Sequence, residues 1–244
     1  MACKLCLYGK KNIKSHIIPK SFFMKIKQNE NPILIIPDKI DKYPKKSHIG
    51  IYDDNLVCED CEKVFSAWDN YADSFLIKNF QKNKPVFDGG IVIAYLIDSF
   101  DYHKLKLFFI SLLWRASASS NNFYSLISTG VFEEKLKRMI LDNDPGDQNS
   151  FSIIITKFDN EKLATGILSP HKEKLDGINY NSFYLGGFKV FIKVDSRESS
   201  ELMKDFIMKP NSPLYIIVRN FRESNEFDLM REMAKLHRRR RKYY

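Results

Sequence analysis

Two Cys-x-x-Cys pairs, Cys3 with Cys6 and Cys58 with Cys61, hold all four cysteines of this 244-residue chain in its first quarter. In a reducing compartment such pairs bind metal far more often than they form disulfides. Four thiolates suit the tetrahedral preference and borderline softness of zinc, and a closed sulfur shell leaves no position for water or substrate. The expected zinc is therefore structural, with a redox dithiol or four unrelated buried thiols as the alternative. The chain must leave the first pair and return to it. The 51 residues that separate the pairs exceed the roughly 15 to 20 of the simplest ribbon pattern, so a functional insertion is expected between them.

Within that insertion "NIKSHIIP" (12 to 19) reads as a short strand ended by proline, and "KSFFMKIKQ" (20 to 28) as a helical turn. Residues 31 to 55 read as loop or strand punctuated by Pro32, Pro37 and Pro44. After the second pair, Phe65, Trp68, Ala72, Phe75, Leu76 and Phe80 recur in steps of three and four, which predicts an amphipathic helix. Asp69 and Asp73 share its Glu62 and Ser66 face and are expected to be solvated. His48, among Lys45, Lys46 and Ser47, is expected in an exposed loop and is a secondary candidate ligand.

Lysines, a proline and two glycines in "KNKPVFDGG" (82 to 90) suggest a domain boundary, dividing the chain into 1–85, 86–237 and a basic tail, 238–244. Beyond it "DYHKLKLFFISLLWRASAS" reads as a buried helix capped by Asp101, and "VFEEKLKRMILD" as a second helix closed by the turn "NDPGD". The period then changes to strands at 151–158, 162–169 and 182–194, the last bent at Gly186 and Gly187. A strand "PLYIIVRNF" and a helix from about Asn225 to His237 complete an α+β arrangement with an antiparallel sheet. His103 and His171, the latter in a loop, and the pair Trp114 and Arg115 read as structural.

Hydrophobic content of 44% with 19 Phe and 12 Tyr supports packed elements. No stretch reaches the roughly 20 apolar residues of a membrane span. Lys4, Lys10, Lys11 and Lys14 interrupt the start of the chain, which lacks a signal-peptide pattern. A cytoplasmic protein is expected. Of the formal charge of +9, five units come from Arg238, Arg239, Arg240, Arg241 and Lys242. Such a block is either a solvated end or an arm that binds phosphates, with Tyr243 and Tyr244 able to stack on bases.

In treble-clef zinc modules a knuckle supplies the first two ligands, and the second pair straddles the start of a helix. A strand carrying His16 then faces Glu62 in the first helical turn. The stretch "CKLC... SHIIP... DDNLVCEDCE" resembles the four-cysteine class of HNH endonucleases, over roughly residues 3 to 75. The resemblance implies a zinc-stapled ββα-metal module with His16 as general base, Asn55 as the residue that orients it, and Glu62 as ligand of a catalytic divalent ion. Ser15 stands where the family's metal-binding Asp is expected, and Glu62 where a His is. The short spacing from Asn55 to Cys58 leaves Asp53 and Asp54 as alternatives to Asn55.

An imidazole can accept a proton near neutrality, and Mg²⁺ or Mn²⁺ takes oxygen ligands and stabilises phosphate charge. The implied activity is metal-dependent hydrolysis of phosphodiesters, in double-stranded DNA first, with a role in defence against foreign DNA. The C-terminal part would then supply specificity, a homodimer interface, a partner-protein surface or a sensor. A non-catalytic zinc module that binds nucleic acid is the second reading, and a protein-interaction scaffold the third.

Overall fold

The computed structural model describes residues 2–27, 32–37, 43–159 and 166–240, with the side chains of 236–240 outside the description. The region around the cysteines contains strand β1 (Ser15–His16), helix α1 (Lys20–Ile26), strands β2 (Ile33–Ile36), β3 (Lys45–Ser47) and β4 (Tyr52–Asp53), and helix α2 (Glu59–Ala72). Cys58 is the N-cap residue of α2, and Glu59, Asp60 and Glu62 lie in its first turn, where the helix dipole favours carboxylates. The expected amphipathic run continues beyond Ala72 as a wider π-helical stretch, Asp73–Lys78, which keeps Leu76 in the core.

Next come strands β5 (Lys84–Asp88) and β6 (Ile91–Ile97), helices α3 (Tyr102–Ala118) and α4 (Glu133–Leu141), and strands β7 (Ile153–Phe158) and β8 (Gly166–Leu168). Strands β9 (His171–Leu175), β10 (Ile178–Leu185) and β11 (Phe188–Lys193), helix α5 (Glu201–Lys204), strand β12 (Leu214–Arg219) and helix α6 (Asn225–Arg240) follow. Arg238, Arg239 and Arg240 thus continue α6 in backbone, whereas Arg241 and Lys242 lie outside the described residues. Among the described residues no helix is long and apolar enough to cross a membrane.

The arrangement is α+β. Its large sheet has seven strands in the order β5-β6-β12-β7-β11-β10-β9. The expected antiparallel pairing holds except at one place, where β12 runs parallel to β7. Parallel neighbours need a long crossover, and five elements separate these two strands in the chain. The β10–β11 hairpin turns at Gly186 and Gly187, with φ of +58° and +97°. Two positive φ values suit a two-residue turn that follows the sheet's twist. A side chain at Gly186 would also meet Ile77 Cδ1 at 2.8 Å.

The stretch "KNKPVFDGG" contains the start of the β5–β6 hairpin, turned at Gly89 and Gly90. Two expectations need correction. His171 begins edge strand β9 instead of lying in a loop. Asp73 is buried and pairs with Lys78 at 2.6 Å, so it is not solvated.

Helix α3 is the central element. Every residue from Leu105 to Ala116 is buried, and Asp101 caps its start by accepting from the Lys104 N–H. Phe108 stacks on Phe22 of α1 at 5.7 Å between ring centroids, and Trp114 lies 6.4 Å from Phe65 of α2. One hydrophobic core includes Phe22 and Phe65 beside Phe108, Ile155 and Met233. Backbone pairing also joins the two halves, since β2 sits between β3 and the distant β8 in a three-stranded sheet.

Candidate functional site

The sulfurs of Cys3, Cys6, Cys58 and Cys61 all lie within 4.8 Å of one another. Local backbone explains why. Leu7, at φ +60°, returns its N–H to the Cys3 carbonyl at 3.0 Å and so curls the first pair into a knuckle. The Lys4 N–H donates to the Leu56 carbonyl and the Ile13 N–H to that of Val57, each at 3.0 Å, which holds the knuckle beside the second pair. Helix α2 then places Cys58 and Cys61 three residues apart on one side.

Cys3 and Cys61 are 3.6 Å apart and Cys6 and Cys58 3.9 Å, much longer than a disulfide. With Zn–S bonds of about 2.3 Å, a tetrahedron has edges of about 3.8 Å. The cluster therefore fits a divalent ion of zinc's size and softness. At Cys3 burial works to raise the thiol, but the N–H groups of Cys6, Cys58 and Leu5 prevail and bring it to about 7. Burial and the neighbouring sulfurs push Cys61 well up. Four thiolates this close need a cation to offset their repulsion.

Beside the cluster, β1 pairs antiparallel with β4, setting Ser15 opposite Asp53 and His16 opposite Tyr52. Successive side chains on a strand point to opposite faces. Where His16 was expected to face Glu62, the contact is made by Ser15, which is fully buried and whose hydroxyl donates to Glu62 Oε2 at 2.6 Å. His16 is half-buried, with Nε2 3.2 Å from the Ile49 carbonyl. A ring nitrogen facing a carbonyl carries the proton, which leaves the lone pair on Nδ1. Burial pushes this imidazole down, Lys14, Lys20 and Arg115 add to the depression, and the Ile49 carbonyl opposes it. Burial pushes the Glu62 carboxyl up against the Ser15 hydrogen bond.

Asn55 turns its side chain to Asp54 Oδ1 at 3.2 Å and its N–H to Asp53 Oδ1 at 2.8 Å. Asp53 is itself committed to the start of the loop after α3, accepting from the Ser119 hydroxyl at 2.7 Å and the Ser120 N–H at 2.8 Å. His48 is exposed, as expected, and His103 faces the Asn143 carbonyl at 2.8 Å.

The residues that sequence reasoning missed are Asp69 and Arg115. Arg115 has a fully buried side chain and grips Asp69 with two hydrogen bonds, 2.7 Å to Oδ1 and 3.0 Å to Oδ2. Its Nη1 also donates to the His16 carbonyl at 3.0 Å, and the guanidinium lies 4.7 Å from the Phe65 ring centre. Asp69 is thus part of a buried ion pair and not of a solvated face. The available signal was its spacing of one residue from Trp68, a core position, and seven from Glu62. Arg115 fixes the backbone of the candidate base from behind.

Comparison with family models, curated proteins and solved structures returned no match.

Proposed function

We propose that the chain is a metal-dependent endonuclease in which a zinc-stapled, treble-clef module of HNH type hydrolyses DNA phosphodiesters. The observation that carries this reading is the 2.6 Å hydrogen bond from Ser15, the residue before His16, to Glu62, the residue after Cys61. It brings together the two positions that the resemblance makes ligands of the catalytic ion. Hydroxyl and carboxylate are hard oxygen donors, which suits Mg²⁺ or Mn²⁺ with water completing the shell. Such an ion at Glu62 and Ser15 would stabilise charge on the phosphate and the leaving oxygen.

His16 Nδ1 takes the proton of the attacking water in this reading, while Arg115 holds the strand that carries it. Lys14, directly before β1 and with Nζ 3.4 Å from the centre of the Tyr52 ring, would approach a phosphate in this reading. Asn55 acts less directly, by shaping the β4 turn. The arginine-rich end of α6 adds non-specific affinity for the backbone.

One observation favours a second reading, nucleic-acid binding without cleavage: Ser15 is neutral, and its bond to Glu62 already satisfies one carboxylate oxygen. Plasmid incubation with Mg²⁺ or Mn²⁺ separates the two. The nuclease reading predicts nicking or linearisation by the wild type and at least a hundredfold loss in His16→Ala and Glu62→Gln, the low end for removing a general base. Equal cutting by His16→Ala, or salt-sensitive binding with no cutting under either ion, refutes it.

A further inference from the structure

The seven-stranded sheet carries different chemistry on its two faces. Ile153, Ile155, Val190 and Ile192 enter the main core, and the alternating Ile154, Thr156, Lys189 and Phe191 point the other way. On that second face a cavity of about 590 Å³ opens between the sheet, the α5 region and the start of α6. Ile154, Phe191, Ile217, Phe206 and Leu229 give it mainly apolar walls.

Its floor is charged. Lys189, only 4% exposed, reaches Glu226 Oε1 at 2.7 Å and Glu173 Oε1 at 2.8 Å, and the Tyr184 hydroxyl donates to Glu226 Oε1 at 3.0 Å. Cross-strand register produces this convergence, since Tyr184 pairs with Lys189 and Lys189 with Thr156. Two buried atoms of the cluster make no hydrogen bond. They are Glu226 Oε2 and Arg219 Nη1, on groups that meet only through Arg219 Nη2, 3.6 Å from that oxygen. Buried polar atoms of this kind are rarely left bare, and here both belong to residues that line the cavity.

We propose that the cavity binds a neutral, flat small molecule whose edge presents an N–H beside a carbonyl, the lactam edge of an oxopurine or oxopyrimidine nucleoside. Each requirement follows from the residues. A carboxylate oxygen only accepts, so the ligand must donate to Glu226, and a guanidinium only donates, so it must accept from Arg219. The two cations and two carboxylates of the cluster cancel, which leaves no charge for an ionic ligand to offset. Apolar walls with Phe191 and Phe206 suit the faces of a ring, and the volume falls in the usual range for small-molecule sites. The site is remote from the cysteine cluster in sequence and stands whether or not the N-terminal module cleaves DNA.

Calorimetric titration of the whole 244-residue, zinc-loaded chain with guanosine and uridine tests the assignment, beside 1-methylguanosine and 3-methyluridine, which lack the ring N–H. At least one parent nucleoside should bind, with its methylated form weaker by about tenfold or more, the effect of one hydrogen bond to a charged group. Arg219→Leu should weaken binding by about tenfold while leaving circular dichroism and zinc content unchanged, because this side chain is 31% exposed and does not support Lys189. Ile217→Trp, which fills the cavity from its wall, should abolish binding. The proposal fails if neither nucleoside binds at millimolar concentration, if the methylated forms bind equally well, or if both substitutions leave affinity unchanged.

Discussion

Arg115→Met keeps most of the side chain's volume and its packing on Phe65 but removes every polar contact of the guanidinium. Those contacts are the two bonds to Asp69 at 2.7 and 3.0 Å, one to the His16 carbonyl at 3.0 Å, one to the Ser111 hydroxyl at 3.2 Å and one from Nε to the Ser111 carbonyl at 3.4 Å. What remains is a carboxylate with 18% exposure facing an apolar stem, with Glu62 as a second acid nearby. Breaking a buried ion pair from one side costs about 3 to 5 kcal/mol, and the orphaned carbonyl adds to the same loss within one network. Against a total stability of about 5 to 15 kcal/mol, this is a large fraction.

Asp69→Asn should cost less, because the amide oxygen still accepts and Arg115 retains its other partners. Most of the damage from Arg115→Met is the stranded charge, so Arg115→Met with Asp69→Asn should recover about 1 to 3 kcal/mol relative to the sum of the single changes. Equilibrium urea unfolding with zinc present, followed by the fluorescence of Trp68 and Trp114, measures the cycle. A cost below about 1 kcal/mol for Arg115→Met, or additivity within about 0.5 kcal/mol, would show that the pair does not hold the two helices together.

Two further outcomes follow from buried groups. The purified chain should carry one zinc ion, and either chelation or Cys58→Ser should unfold the N-terminal region, since a structural zinc site contributes about 10 to 16 kcal/mol of apparent binding energy; metal analysis with circular dichroism checks this, and a folded, metal-free chain contradicts it. Lys106, fully buried with Nζ donating to the Ser150 and Phe151 carbonyls at 2.8 Å, is lowered by burial from 10.5 to about 7. Below that value the folded and unfolded chains both hold the proton, so the penalty is constant. Between about 7 and 10.5 only the unfolded chain retains it, and stability rises with pH, by at most roughly 5 kcal/mol. Lys106→Met should remove that rise in thermal midpoint between pH 7 and 10; an unchanged slope refutes the assignment.

Much of the fold was legible in the residues. The buried stretch from Leu105 to Ala116, the Gly186-Gly187 turn and the gathering of the four cysteines each follow from a local pattern, and each occurs. Gly89-Gly90 carries the same turn signal, but its hairpin is hard to read because the flanking strands have exposed Phe87 and Ile91 and no clean alternation. Strand β9, "HKEKL", hid for a related reason: it is an edge strand, and edges tolerate charges that mask the period. At the candidate site, residues set beside a motif were readable, as with Glu62 directly after Cys61 and Ser15 and His16 between the two cysteine pairs. The Arg115–Asp69 pair was not, since the two are 46 positions apart and each looks ordinary alone. Lys189 in "GFKVFIKV" shows how an apolar strand can bury a cation that only distant carboxylates explain.

The pairing of β2 with β8 has a practical consequence for anyone who dissects this chain. A fragment that stops before α3 would expose the free side of β2 to solvent, strip Asp69 of its guanidinium and leave Asp53 without the Ser119 and Ser120 donors. The cysteine-bound segment is therefore not a portable cassette. Transplanting its chemistry means carrying the supporting helix along.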